Sequence, residues 1–243
     1  MSGGIRGDYA AERQLVADAC RVAAARGLSD GFLGHVSLRI DEERLLIRCR
    51  GPQERGLGWT TAADVHLVDQ GGAPGAPGEL DGWSPPNELP LHVEVLRARP
   101  EAAAVVHVHP PAVVAADLAG LAIRPIVGAF DIPGAKLAAG GVPVYRRGVL
   151  VRNRGLALEM VAAMGERPVV VLRGHGLTSS GGSVQEAVLR AISVDSLARL
   201  SLQIASAGGT QADLPAEDLA ALPDLGPGFN EGVAWRHEVT RMG

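Results

Sequence analysis

The chain has 243 residues, of which 47% are hydrophobic and only 3% aromatic, so we expect a core of aliphatic side chains. Its net charge of −4 comes from mixed acidic and basic residues, which argues against a nucleic-acid partner. No apolar run approaches the roughly 18 residues that span a membrane, and residues 1–6 lack the basic and apolar stretches of a signal peptide. We expect a single domain over residues 1–243 and a cytoplasmic location.

The first third of the sequence predicts one helix followed by three strands. Apolar residues at helical spacing indicate a helix over residues 10–26. Residues 34–40 and 45–50 are strand-like and are joined by a polar turn, which predicts a hairpin. Residues 65–69 predict a third strand, and the Gly- and Pro-rich residues 71–82 predict a surface loop.

Helical and extended patterns then alternate in the middle of the chain. Asn87 is a suitable N-cap for a helix over residues 87–97, which places Glu88 at the helix start. The apolar run at residues 105–108 predicts a strand, and it is followed by a helix expected over residues 112–119.

The last third predicts a buried strand, a long helix and an irregular tail. The β-branched run at residues 168–172 is typical of a buried strand. Ser183 and Glu186 have the spacing of a capping box, and apolar residues continue at helical spacing to about residue 207. Residues 208–243 are rich in Gly, Pro, Asp and Ala, and we expect them to be mobile or to pack on a neighbouring subunit.

Three histidines follow the apolar runs in a pattern that favours metal binding. His107 and His109 are two residues apart, so a strand places both on one face. His175 follows the second run, between two glycines. Neutral imidazoles bind Mn, Zn, Fe or Co, and three protein ligands leave a position open for a substrate. We therefore predict a metal site made by these histidines, with Glu88 as a fourth ligand or a general acid/base.

The order of these motifs resembles the class II aldolase and adducin family, from about residue 10 to residue 207. The resemblance rests on Gly34-His35-Val36-Ser37, Asn87-Glu88 with His92, His107-Val108-His109 and Gly174-His175-Gly176-Leu177. It implies that the three histidines bind a divalent metal and that the glutamate acts as acid/base or extra ligand. It also implies a three-layer α/β/α sandwich around a mainly antiparallel sheet, and a cyclic homotetramer with sites at subunit boundaries.

Two departures from the family's phosphosugar aldolases bear on the substrate. Those enzymes typically carry Gly-Asn where this chain has Gly34-His35, and a pair of serines where it has Pro86-Asn87. Because a proline and an amide replace two hydroxyl donors, phosphate binding is weakened. The chain most resembles a branch that decarboxylates hydroxylated aromatic dicarboxylates such as dihydroxyphthalate, which implies a role in aromatic compound metabolism.

Several further residues are expected to contact such a small-molecule substrate. Arginine side chains match carboxylates bidentately, and a metal stabilises the oxyanion that forms as carbon dioxide leaves. Glu88 or His35 would then protonate the ring carbon. The residues expected to bind the substrate are Arg48, Arg50, Arg55, Ser37 and Asn87.

Two other activities use the same ligands. One is retro-aldol cleavage of an unphosphorylated hydroxy acid or sugar, and the other is oxidation of an aromatic substrate by non-haem iron on the same fold. A scaffolding role, as in adducin, predicts lost ligands, whereas this chain keeps all three histidines and the glutamate.

Overall fold

The computed structural model describes residues 9–226 and 228–242, so residues 1–6, for which no signal peptide is predicted, lie outside the described residues. The helices are α1 (Ala10–Ala25), α2 (Leu89–Ala98), α3 (Pro111–Leu118), α4 (Ile132–Leu137), α5 (Arg154–Met164), α6 (Val184–Ser206), α7 (Ala216–Ala221) and α8 (Trp235–Thr240). The strands are β1 (His35–Arg39), β2 (Arg44–Arg48), β3 (Val65–Asp69), β4 (Ala104–Val108), β5 (Val144–Tyr145), β6 (Val169–Leu172) and β7 (Gly176–Gly181). Within the described part of the chain, no helix combines the length and apolar character needed to span a membrane.

The seven strands form one sheet in the order β3-β2-β1-β4-β7-β6-β5. Neighbouring strands are antiparallel except for β5 and β6, which run parallel. Side chains alternate between the two faces, so Val106 packs with α1, α3 and α6, whereas Val105 packs with α2 and α5. The predicted α/β/α sandwich with a mainly antiparallel sheet is confirmed.

Several predicted elements agree with the structure to within one or two residues. The opening helix is α1, the hairpin is β1 with β2, and the long C-terminal helix is α6. Ser183 caps α6 as predicted, since its Oγ accepts the backbone N–H of Glu186 at 3.1 Å. The Glu186 carboxylate accepts the N–H of Gly182 at 2.7 Å, one residue before the position expected in a capping box.

The start of α2 corrects one prediction. The N-cap position is occupied by Glu88, not Asn87, and it has no side-chain capping hydrogen bond. The Glu88 carboxylate instead accepts the backbone N–H of Val151 at 3.0 Å, on a distant segment of the chain. A tertiary contact of this carboxylate therefore replaces the predicted local cap.

Strand β7 was not predicted, because its hydroxyl side chains hide a buried strand. It lies between β4 and β6, which pair with its backbone on both sides. Ser179 Oγ donates a hydrogen bond to the Ala187 carbonyl at 2.8 Å, and Ser180 Oγ donates one to the Pro168 carbonyl at 3.1 Å. These partners offset the cost of burying the two hydroxyl groups.

Part of the C-terminal tail packs on the chain itself. Trp235 in α8 is buried in the aliphatic core that includes residues of α1. Glu238, one turn further along α8, lies 3.7 Å from the guanidinium of Arg26. This end of the tail is therefore held against the first helix.

Candidate metal centre and active site

Three neighbouring strands bring polar side chains together on the sheet face that α2 covers. His35 of β1 is in register with His107 of β4, which is in register with Thr178 of β7. Because residues in register share a face, the three side chains form a row across the sheet. His107 is fully buried, and its Nδ1 lies 3.1 Å from Thr178 Oγ1. This contact engages Nδ1 and leaves Nε2 of His107 for other groups.

His109 and His175 lie just beyond strand ends, where two backbones approach closely. His109 follows β4, and His175 lies in the turn between β6 and β7. A Cβ at Gly176 would lie only 2.3 Å from the Val108 carbonyl oxygen, so this approach requires glycine. The His107 and His109 Nε2 atoms are 3.1 Å apart, and the ring centroids of His109 and His175 are 4.8 Å apart.

Glu88 completes the cluster from the start of α2. Its Oε1 accepts the Val151 N–H, while its Oε2 lies 3.3 Å from His107 Nε2 and 3.7 Å from His175 Nε2. The side chain is buried. The backbone hydrogen bond thus holds one carboxylate oxygen and leaves the other facing the histidines.

The geometry of this cluster fits a metal ion. The donor atoms of Glu88, His107, His109 and His175 all lie within 4.8 Å of one another. Ligand atoms around a tetrahedral zinc ion are about 3.4 Å apart, and the donor separations given above are 3.1, 3.3 and 3.7 Å. Imidazole and carboxylate donors suit divalent transition metals.

The pKa shifts of His109, His175 and Glu88 also suit metal binding. Burial lowers the pKa of His109 to about 3, and burial together with the charge of His107 lowers the pKa of His175. Burial alone would raise the pKa of Glu88, but the hydrogen bond and charge of His107 outweigh this effect and lower it to about 2. Neutral imidazoles and an ionised carboxylate are the forms that bind a metal.

His35 and His92 form a second buried pair beside this cluster. His35 Nδ1 lies 2.7 Å from His92 Nε2, and His92 Nδ1 lies 2.7 Å from Ser37 Oγ. The other ring nitrogen of His35, Nε2, is 4.0 Å from Glu88 Oε2. Burial lowers the pKa of both histidines, that of His92 to about 3. His92 follows Glu88 by four residues, a spacing that places both on one side of α2.

A pocket of about 470 Å³ lies over the cluster. Its lining includes His35, Glu88 and two arginines, Arg50 and Arg173. Neither arginine pairs with an acidic side chain of the described residues; Arg50 instead lies 5.7 Å from the ring centroid of Phe32. Arg173 was not predicted, although a basic residue directly after the buried β6 was a signal for it.

The structure places Arg48, which is expected to bind substrate, outside the pocket lining. This side chain is buried, and its guanidinium donates to the Gly34 carbonyl at 2.9 Å and to Thr60 Oγ1 at 3.0 Å. It also forms a 2.5 Å ion pair with Glu54. The donors of Arg48 are thus used to hold the loop after β2 against the start of β1.

Two other residues expected to bind substrate also lie outside the pocket lining, and two lie in it. Ser37 is fully buried and contacts His92, and the exposed Arg55 does not line the pocket. Arg50 and Asn87 do line it. Burial and the direction of the chain after β2 decide which of these residues line the pocket. Neither property can be predicted from the spacing of charges in the sequence.

The sequence is similar to those of a known family and of two named proteins. Residues 14–202 match the family described as Class II Aldolase and Adducin N-terminal domain. A 3,4-dihydroxyphthalate decarboxylase from Terrabacter sp. (strain DBF63) is 95% identical over 243 residues, covering all of both chains. A protein of the same name from Arthrobacter keyseri is 69% identical over 235 residues, which are 96% of this chain and 95% of that protein.

The fold is shared as well. An aldolase II superfamily protein from Pseudomonas syringae superimposes with a TM-score of 0.79 at 24% identity, covering 99% of this chain and 98% of that one. The match over residues 14–202 and the two relatives agree with the motif order seen in the sequence. The chain belongs to the class II aldolase and adducin family.

Proposed function

We propose that the chain is a divalent-metal-dependent decarboxylase of a hydroxylated aromatic dicarboxylate of the 3,4-dihydroxyphthalate type. The observation that carries this proposal is that one pocket is lined both by Glu88, His109 and His175 of the candidate metal cluster and by Arg50 and Arg173. The names of the Terrabacter and Arthrobacter relatives support the same substrate. Removal of the carboxylate breaks a carbon–carbon bond, so the enzyme is a lyase.

The metal and the arginines have separate tasks in this proposal. His107, His109 and His175 would hold Mn, Zn, Fe or Co, which when bound supplies a Lewis acid for substrate oxygen atoms, while Glu88 beside them serves proton transfer. Guanidinium groups bind carboxylates through paired hydrogen bonds, so the two pocket arginines would orient the ring by its carboxylates. Asn87, also in the pocket lining, adds amide hydrogen bonds.

Glu88 is the residue best suited to move the proton. It is ionised at neutral pH, and its Oε2 is the oxygen that is not held by the Val151 N–H. This oxygen takes the proton of the substrate hydroxyl group. The carbon–carboxylate bond then breaks, carbon dioxide leaves, and its electron pair stays on the ring. Glu88 returns its proton to that ring carbon, and the product oxyanion takes one proton from water.

A decarboxylase assay separates this activity from its two alternatives. Metal-reconstituted protein would be incubated with hydroxyaryl mono- and dicarboxylates and with unphosphorylated hydroxy acids, under air and under anoxia. We expect carbon dioxide release from an aromatic dicarboxylate, at equal rates with and without oxygen, and its loss after chelation. Aldehyde formation from a hydroxy acid without carbon dioxide release would favour the retro-aldolase. Strict dependence on oxygen would favour the iron oxygenase.

We also propose that the chain forms one domain and assembles as a homotetramer. The two apolar cores share a single sheet, which supports one domain. Large apolar side chains are exposed outside the pocket, such as Leu118 at 61% and Phe130 at 59%, and such groups often lie at subunit interfaces. Light scattering after size-exclusion chromatography measures the mass, and a monomer at micromolar concentration would contradict the tetramer.

A further inference from the structure

We infer that Ser37 and His92 are positioning residues that make His35 a hydrogen-bond donor, with its Nε2–H directed at the pocket. The direction of hydrogen bonding follows from the geometry of these residues alone. The group that receives this hydrogen bond, a carboxylate or oxyanion of the substrate, rests on the proposed function. The Ser37–His92–His35 hydrogen-bond series can be read from either end, and both ends assign the same direction of hydrogen bonding.

The first end is the Ser37 hydroxyl. Ser37 is fully buried, and among the described residues His92 Nδ1, at 2.7 Å, is the partner of its Oγ. A buried hydroxyl with one partner satisfies its hydrogen only by donating it, and an unsatisfied buried donor costs about 1–3 kcal/mol. Ser37 therefore donates to Nδ1 of His92, and a neutral His92 carries its own hydrogen on Nε2.

The hydrogen on His92 Nε2 sets the state of His35. These two imidazoles are joined through His92 Nε2 and His35 Nδ1, which are 2.7 Å apart and have room for a single hydrogen between them. Since His92 supplies that hydrogen, His35 Nδ1 is the acceptor. A neutral His35 then carries its hydrogen on Nε2, the nitrogen nearest to Glu88.

The second end is the Glu88 carboxylate. Its Oε2 lies 4.0 Å from His35 Nε2, and both residues line the pocket. A lone pair on Nε2 would face the negative carboxylate and be repelled, whereas an N–H there is attracted to it. This argument does not use Ser37, and it assigns the same hydrogen to the same nitrogen.

The assignment changes the role of His35 in catalysis. A neutral imidazole that gave its Nε2 hydrogen to carbon would become an imidazolate anion, so His35 is not the acid that protonates the ring. Its N–H instead binds negative charge that develops on a substrate oxygen, in the manner of an oxyanion-hole donor. Proton transfer to the ring carbon remains with Glu88.

Nitrogen NMR of histidine-labelled protein tests the hydrogen-bond direction without any turnover. The His35 signals would be assigned by their loss in His35→Gln and recorded in the metal-free protein and after addition of Zn²⁺. We expect His35 Nε2 to resonate in the protonated range and Nδ1 in the unprotonated range. The reverse pattern, with a protonated Nδ1 and a bare Nε2, would overturn the inference.

A matched pair of variants then tests the part played by Ser37. Ser37→Thr and Ser37→Val add the same bulk to β1 but differ in the hydroxyl group. We expect the Thr variant to keep the His35 pattern of the parent protein and the Val variant to shift it toward the reversed tautomer. The kcat of the Val variant should be 10- to 100-fold below that of the Thr variant, with a smaller change in KM.

The outcomes separate this inference from the proposed function. Indistinguishable His35 spectra for the two variants would refute the role of Ser37, even with a fully active decarboxylase. The expected spectra without carbon dioxide release from any substrate would uphold the hydrogen-bond direction and refute the proposed reaction. Ser37→Ala, which adds no bulk, replaces Ser37→Val if the larger side chain prevents folding, and the same shift is expected.

Discussion

Acid should destabilise the metal-free protein, and the protonation of His92 should account for a calculable part of the lost free energy of unfolding. His92 is fully buried, and burial together with the charge of His107 lowers its pKa from 6.5 to about 3. Between these two pH values, the unfolded chain binds a proton at this position that the folded chain does not bind. The contribution of His92 to stability is therefore complete above pH 6.5 and is lost as the pH falls toward 3.

The size of the effect follows from the width of this interval. Each pH unit within it costs about 1.4 kcal/mol of unfolding free energy for one such group. Lowering the pH from 6.5 to 5.0 should therefore cost about 2 kcal/mol through His92. With an m-value of about 3 kcal/mol/M, the urea midpoint should fall by about 0.7 M from this residue.

Urea unfolding followed by circular dichroism at pH 7.0 and pH 5.0, after chelation, measures this contribution. The parent protein would be compared with His92→Gln, which removes the titrating group, and with His237→Gln on the exposed side of α8. We expect the loss of stability between the two pH values to be about 2 kcal/mol smaller in His92→Gln. Equal losses in the parent and His92→Gln would refute the reasoning, and His237→Gln should match the parent.

Four substitutions and one control test the site and its support. Glu88→Gln keeps an oxygen that can accept the Val151 N–H but loses the carboxylate base. The kcat for carbon dioxide release should therefore fall by at least about 100-fold. A near-parental kcat would exclude Glu88 as the proton carrier. Arg50→Gln and Arg173→Gln should each raise the substrate KM about tenfold, while Arg55→Gln should leave it unchanged because Arg55 does not line the pocket. Gly34→Ala should lower the free energy of unfolding by about 1–3 kcal/mol, measured by urea titration. Gly34 has a φ of +113°, and a Cβ there would lie within 3.3 Å of three neighbouring atoms. An unchanged free energy of unfolding would contradict this strain.

The histidine pair of the candidate site could be predicted from local spacing. His107 and His109 share a face because alternate residues of a strand do so, whatever the rest of the chain does. Ligand chemistry grouped His175 and Glu88 with them, the family resemblance supported this grouping, and the structure brings the four donor atoms within 4.8 Å of one another. Helices α1 and α6 were equally readable, since their apolar periodicity extends over many turns.

Other parts of the site depend on contacts between distant segments. Arg48 and Arg50 differ by two residues in sequence, yet Arg48 is buried against Gly34 and Thr60 whereas Arg50 lines the pocket. Arg173 reaches the same pocket from the other end of the sheet order, after β6. Charge spacing along the chain contains no information on which guanidinium group finds partners inside the fold.

Local pattern thus established helices α1 and α6 and the histidine pair, because periodicity and short spacing act through the geometry of single strands and helices, whereas the fold family came from the resemblance of the motifs. The folded arrangement assigned the remaining roles. Glu88 faces the three histidines because its carboxylate contacts Val151 and His107, not the end of its own helix. Ser37 lies beneath His92 because strand register buries it, and hydrogen-bond partners so far apart in sequence are set only when the chain packs.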